Sequence, residues 1–276
     1  MLGVAGMMRT MRRDLSIYAS IFGMVPKMFM AYQLWFWIGL VLNTMAMAIL
    51  YFFWRAVYGD AGSIAALTLN QTLTYILLAQ IFRPLTDIDL IWEFGSGLRE
   101  GQITHYLLRP INFQGMYYAQ SLGVLISQLV LQIPIALAAT LLFGLQWPTS
   151  LAAWGVFIVS AFLGFTILFF FHWFLACLTF YTTEVWGLGM LINGMTQFLS
   201  GALVPLAMMP GWLEKIVLAI PFSQALAVPI NLLTGITPIS EAPRVWLTQL
   251  VWILGMWLIS SAFFRVAVRK ITVQGG

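Results

Sequence analysis

RPLTDIDLIWEFGSGLREGQITHYLLRPIN, residues Arg83 to Asn112, is the one long polar interruption between hydrophobic runs, and its reading decides the fold. It carries three arginines and four acids in a chain that is only 8% charged. Thr86-Asp87-Ile88-Asp89 has the form of a capping box, so a short helix is expected to begin there, with Ile88, Ile91, Trp92 and Gly95 on one face. Gly95, Gly97 and Gly101 then loosen it. An amphipathic helix between two membrane-crossing runs suits the membrane surface, with its charged side open to something soluble. The plainer alternative is a solvated loop joining two spans.

Working outward, composition sets the class. The chain has 276 residues, 61% hydrophobic and 15% aromatic, and its charged fraction lies far below the soluble average of about 25%. It reads as an all-α integral membrane protein. The net charge of +4 does not point to nucleic acid, because the basic residues are scattered and mostly flank apolar runs. Cys177 is the single cysteine, so no disulfide framework forms within one chain.

Residues 1–30 carry Arg9, Arg12 and Arg13 followed by Leu15, Ile17, Tyr18, Ile21 and Phe22, which predicts an interfacial helix rather than a cleaved signal. Six runs of roughly 20 or more apolar residues follow, each long enough to cross about 30 Å of hydrocarbon. They are expected at Ala31 to Trp54, Ala61 to Phe82, Phe113 to Phe143, Leu151 to Phe180, Val185 to Leu206 and Val245 to Phe264, with a kink in the third at Pro134. The domain plan is a single unit over 1–276. An interfacial helix (1–30) precedes spans 1 and 2 (31–82), the polar loop (83–112) and spans 3 to 5 (113–206). An outer region (207–242) and the last span with its tail (243–276) complete it.

An even number of spans puts both termini on one side. Arg9, Arg12, Arg13, Lys27, Arg83, Arg99, Arg109, Arg265, Arg269 and Lys270 share that side, against Arg55, Lys215 and Arg244 opposite, so both termini and the 83–112 loop are expected in the cytoplasm. From Ala207 to Ala242, Pro210, Pro221, Pro229 and Pro238, with Pro243 just beyond, cut an apolar segment into pieces too short to span. Trp212 to Ile220 and Phe222 to Leu233 are expected as re-entrant or interfacial helices on the outer side, the alternative being an ordinary outer loop.

Catalytic chemistry is absent from the motifs. No P-loop and no Gly-Lys dipeptide occurs, so this chain has no P-loop for ATP, and no H-E-x-x-H or G-x-S-x-G supports a membrane hydrolase. His172 lies in an aromatic run and His105 is far away in sequence, an arrangement that suits helix packing better than catalysis. The span interiors hold no charged residue. Ion-coupled carriers usually keep such groups despite a cost of about 2.5–3.5 kcal/mol each, so the energy for transport is expected from elsewhere. Polar candidates for a pathway are Asn193, Gln197 and Ser200 on one face of the fifth span and Asn70 and Thr74 on one face of the second. The same residues could be interhelical glue worth about 0.6 kcal/mol per hydrogen bond.

Leu98-Arg99-Glu100-Gly101-Gln102-Ile103, followed by Leu107-Leu108-Arg109-Pro110, resembles the pattern after the second span of bacterial ABC transporter permeases of the type-2 exporter class. Phe53-Trp54-Arg55-Ala56-Val57-Tyr58 and Gln71-Thr72-Leu73-Thr74-Tyr75 are similar to the same subfamily. The resemblance implies that the 83–112 stretch holds a coupling helix docking on a separate ATPase. Ile88, Ile91 and Trp92 would fill a groove there, Glu93, Arg99 and Glu100 would set register, and the turn at Glu184 would make a secondary contact.

It further implies two copies of that ATPase, which holds ATP and magnesium while this chain holds no cofactor. A second permease, identical or different, would complete the pathway between the second and fifth spans, with the short outer helices capping it. The setting would be the bacterial cytoplasmic (inner) membrane. The expectation is thus a non-enzymatic permease subunit exporting a hydrophobic or amphipathic molecule such as a lipid, peptide or antibiotic. An ion-independent carrier or channel, or a membrane-embedded enzyme, is the alternative.

Overall fold

The computed structural model describes residues 16–24, 33–101, 103, 112–181 and 185–270. Among them four helices are long and apolar enough to cross a membrane: Trp37–Tyr58, Phe113–Phe143, Leu151–Phe180 and Ile239–Ala267. At 1.5 Å per residue the shortest of these rises about 33 Å, enough for the hydrocarbon core. They correspond to α2 (Gln33–Tyr58), α5 (Phe113–Leu131) with α6 (Ile133–Phe143), α7 (Leu151–Ala176) and α11 (Ala242–Ala267). The third expected span, Phe113–Phe143, is interrupted at Gln132, two residues before Pro134, whose ring cannot donate to the helical ladder. α1 (16–24) lies beside the start of α5, with the Tyr18 hydroxyl against Gly115.

The second and fifth expected spans are shorter than the apolar runs suggested. α3 (Leu69–Ile81) has 13 residues and α8 (Val185–Leu199) has 15, about 20 and 22 Å, so neither crosses as one helix. The second run loses its beginning to a hairpin. Strands β1 (Ser63–Ile64) and β2 (Leu67–Thr68) pair antiparallel, and Ala65 and Ala66 both take positive φ in the turn. The Tyr58 hydroxyl ties this hairpin to α2 by donating to the Leu67 carbonyl at 2.9 Å. Thr68 then caps α3, and here a capping box does form, with Gln71 as its second member.

The box expected at Thr86 to Asp89 does not form. Residues Arg83–Thr86 make a 3-10 turn with Pro84 near its start, the Thr86 hydroxyl donates back to the Arg83 carbonyl, and α4 (Leu90–Arg99) begins at Asp89 without a side-chain cap. α4 also runs straight through Gly95 and Gly97. These glycines are contact points rather than loosening ones: a Cβ on Gly95 would come within 2.6 Å of Val185, so α4 and α8 pack there at nearly backbone distance.

Although broken, the 69–99 segment runs the length of the bundle. Asn70 donates to Gln146 in the loop before α7. Phe82 packs on Phe157 at 4.6 Å, and the Ile88 backbone lies beside His172. Phe94 reaches the far end, where it meets Phe113, Tyr117, Trp173 and Phe180 with ring centroids 4.9–6.0 Å apart. Phe264 of α11 joins this aromatic cluster, stacked on Phe113 at 5.6 Å. Such pairs add about 0.5–1.5 kcal/mol each beyond their burial, which ties α4, α5, α7 and α11 together at this end.

The outer region is built from α9 (Gly211–Leu218), a 3-10 turn at Pro221–Gln224 and α10 (Ala227–Thr234). The second short helix therefore starts five residues later than the sequence suggested. The 3-10 turn reaches deep into the bundle. Phe222 packs on Phe171 at 4.9 Å, and Gly164, halfway along α7, is pressed against the backbone of Gln224 and Ala225. Gly164 lies about 20 Å from the Leu151 end of its helix, so this turn sits at mid-bundle depth.

Candidate transport and coupling site

Where α8 ends, the chain unwinds inside the bundle. Gly201 takes φ +83, and the helical ladder stops one residue earlier. Four successive carbonyls would then lack partners, a state costing several kcal/mol per group in an apolar setting. Each is satisfied by a different residue, and the four residues come from three elements. The Ser200 carbonyl accepts from the Ala227 N–H at 3.1 Å, and Gly201 accepts from the Tyr75 hydroxyl at 3.0 Å. Ala202 accepts from Gln80 Nε2 at 3.0 Å, and Leu203 from Trp54 Nε1 at 3.3 Å. Tyr75, Gln80 and Trp54 are all buried, so α2, α3 and α10 are clamped around one irregular stretch.

A second node holds the re-entrant turn. Gln249 of α11 is fully buried, and its Nε2 donates to the carbonyls of Ser160 and Gln224, both at 3.0 Å. Sequence reasoning gave none of Trp54, Tyr75, Gln80 or Gln249 a role, although Trp54 and Tyr75 lie in the runs that carry the family resemblance. Gln80 and Gln249 were detectable in principle as lone carboxamides in apolar runs. Their partners are backbone atoms more than twenty residues away, which residue patterns do not reveal.

The expected pathway residues divide. Asn193 is exposed and Gln197 half-buried on α8, whereas Ser200 is fully enclosed and turns its hydroxyl to the Gln197 carbonyl. Ser200 offers no lining surface in this chain. Asn70 and Thr74 border a cavity of about 270 Å³ with Gln146, Trp147 and Thr234 at the Leu151 end of the bundle. The cavities described do not bring these two residues together with Asn193 and Gln197.

The expected coupling residues divide as well. Ile88 and Ile91 are buried, 8% and 3% exposed, because α4 packs its apolar face on α7 and α8. They cannot fill a partner's groove while this chain's own core covers them. Trp92 remains at the surface, with its indole over Gly189 of α8, and Arg99 and Glu100 are exposed at the end of α4. Glu93 faces inward and accepts from Gln120 Nε2 at 3.1 Å. Glu184 lies outside the described residues, as do the residues around Arg109.

Charge also lies beside the third expected span, Phe113–Phe143. Arg83 and Asp87 line a cavity with Gln128 and Gln132, 15 and 19 residues into the 31-residue helix that begins at Phe113. The expectation that span interiors are free of charge meets an exception here, because the 3-10 turn breaking the second span places Arg83, half-buried, and Asp87, exposed, on the lining of this cavity.

A polytopic helical bundle with an unwound, side-chain-clamped backbone and a re-entrant turn has the form of a membrane transport component. The sequence matches the family described as ABC-2 family transporter protein over residues 44–275, and the chain belongs to that family. It is thus an ABC-2 type permease, a transport subunit rather than an enzyme, and the family implies an ATPase partner. No curated protein and no solved structure matches it.

Proposed function

We propose that this chain is the membrane-spanning subunit of an ATP-driven exporter that crosses the bacterial cytoplasmic membrane six times with both termini inside. Two of the crossings are discontinuous. The observation that carries this reading is the course of the 69–99 segment from Asn70, beside Gln146, to Phe94, in the aromatic cluster at the other end. The 185–236 segment makes the same journey in reverse, from Val185 beside Gly95 to Ile236 on the Asn70 cavity. Discontinuous segments whose free carbonyls are clamped by neighbours are the form that irregular backbone takes in transporters.

The pathway forms against a second permease, identical or different, along the exposed face of α8 that carries Asn193 and Gln197, with Asn70 and Thr74 at its outer end. The substrate is amphipathic. Two copies of a separate ATPase hold ATP and magnesium and contact the end of α4 around Trp92, Arg99 and Glu100, with Glu93 setting that helix against α5.

Reconstitution in liposomes tests this reading. The chain alone hydrolyses no ATP, while the chain with its ATPase hydrolyses ATP and exports. Asn193→Leu with Gln197→Leu impairs export without loss of assembly. Substantial hydrolysis by the chain alone would reject the subunit assignment, and unaltered export by the double variant would reject the pathway face.

A further inference from the structure

Arg83, Asp87 and three carboxamides meet in a place where apolar helices surround them. The cavity they line holds about 220 Å³, bounded by Gly39, Leu40 and Asn43 of α2, by Arg83, Pro84 and Asp87 of the broken second segment, and by Gln128 to Ile135 at the α5–α6 break. A drug-sized ligand needs about 300 Å³ or more, so the space suits a headgroup rather than a whole molecule. The groups lining it are not satisfied by one another. Among the described residues the half-buried Arg83 guanidinium has no hydrogen bond or ion pair, and the buried Oε1 atoms of Gln128 and Gln132 accept from nothing. Gln128 Nε2 donates to Asp87 at 3.3 Å, which leaves that carboxylate further acceptor sites.

The cavity adjoins a second, of about 250 Å³, at Asp87 and Gln128. That neighbour continues past Asp89 and Glu93, so the cleft is cationic at its Arg83 end and acidic beyond Asp87. On either side of the opening α2 and α6 present apolar residues to the membrane, among them Leu42, Met45, Ile133 and Leu137.

We propose, building on the permease reading above, that this cleft is a lateral entry site for a single-tailed or double-tailed amphiphile with a zwitterionic headgroup. Arg83 takes the anionic group, Asp87 takes the ammonium, Asn43 and Gln132 hydrogen-bond between them, and the tail lies along α2 and α6. A purely anionic headgroup would leave its charge beside Asp87, and a purely cationic one would set its charge against Arg83. With the apolar surfaces of α2 and α6 flanking the opening, either mismatch is costly in a membrane, whereas a zwitterion pairs both. Charge-assisted hydrogen bonds supply the selectivity.

The test uses the purified full-length chain in detergent, without ATP or ATPase. Ligand-dependent rise in melting temperature is titrated with dodecylphosphoethanolamine, dodecyl phosphate, dodecylammonium and free phosphoethanolamine. The zwitterionic amphiphile is expected to act at the lowest concentration. Arg83→Gln weakens it about tenfold or more and turns the preference towards dodecylammonium; Asp87→Asn weakens it similarly and turns the preference towards dodecyl phosphate. Equal or tighter action on the unaltered chain of either amphiphile whose charge is of one sign only overturns the proposal without any variant having to fold. Free phosphoethanolamine acting as strongly as the tailed ligand overturns the lateral-entry assignment, and selectivity unchanged in both folded variants overturns the residue roles. Loss of headgroup selectivity with ATPase-dependent export intact removes this site alone, and the converse result removes the permease reading alone.

Discussion

At the scale of single residues, Glu93 is the group whose chemistry departs most usefully from its surroundings. Its half-buried carboxylate accepts from Gln120 Nε2 at 3.1 Å and so ties α4 to α5. Removing the acceptor leaves that donor without its partner, which costs about 1–3 kcal/mol where water is scarce. Glu93→Ala should therefore lower the melting temperature, and Glu93→Gln, which keeps an oxygen for Gln120, should lower it less. Equal melting of the two variants would mean that this hydrogen bond does not hold α4 in place.

At the scale of elements, close contacts carry the architecture. A Cβ on Gly164 would strike the Gln224 carbonyl oxygen and come within 2.6 Å of the Ala225 Cα, and both obstacles are backbone. Gly164→Ala should therefore destabilise by about 1–3 kcal/mol, whereas Gly155→Ala on the same helix meets nothing and should be neutral or slightly stabilising. Thermal unfolding of the two variants side by side checks this, and equal melting would mean that the re-entrant turn does not press on α7. α4 yields a second element-scale expectation. With Ile88 and Ile91 sealed inside, Trp92 is its exposed apolar anchor, so Trp92→Ala should weaken binding of the ATPase by about 2 kcal/mol and Glu100→Ala by less. Co-purification with the ATPase measures both. A Trp92→Ala chain that binds normally would move the contact elsewhere.

Hydropathy made the long helices legible because it reports composition along the chain, and α2, α5 with α6, α7 and α11 are uniformly apolar. It could not report where an apolar run stops being helical. Residues 61–68 are apolar enough to extend a span, yet Tyr58 and the self-pairing of Ser63 with Thr68 hold them as a hairpin. Residues 200–203 look like the end of a span, and their departure from helix is stabilised by Trp54, Tyr75 and Gln80, between 122 and 149 positions away. The polar face at Asn193 was readable from helical spacing alone. The inward turn of Ile88 and Ile91 was not, since an amphipathic helix has the same pattern whether its apolar side meets a partner or its own bundle.

At the scale of the whole molecule, the number of crossings follows from whether the two broken segments traverse the membrane, and the two possibilities differ at named positions. If only the four long helices cross, residues 59–112 lie together on one side, so Gly62 and Arg99 share it and Thr149 faces the opposite way. If α3 with α4 and α8 with the re-entrant region complete two more crossings, Gly62, Thr149 and Ser240 share the outer side and Arg99 stands alone inside. All four positions are exposed, and the single native cysteine, Cys177, is buried, so Cys177→Ala provides a clean background. Cysteines placed one at a time at these positions are labelled in intact cells with a membrane-impermeant maleimide. Labelling at 62, 149 and 240 with protection at 99 is the expected result. Labelling at 62 and 99 with protection at 149 would reduce the crossings to four, place the end of α4 outside the cell, and make its contact with a cytoplasmic ATPase impossible.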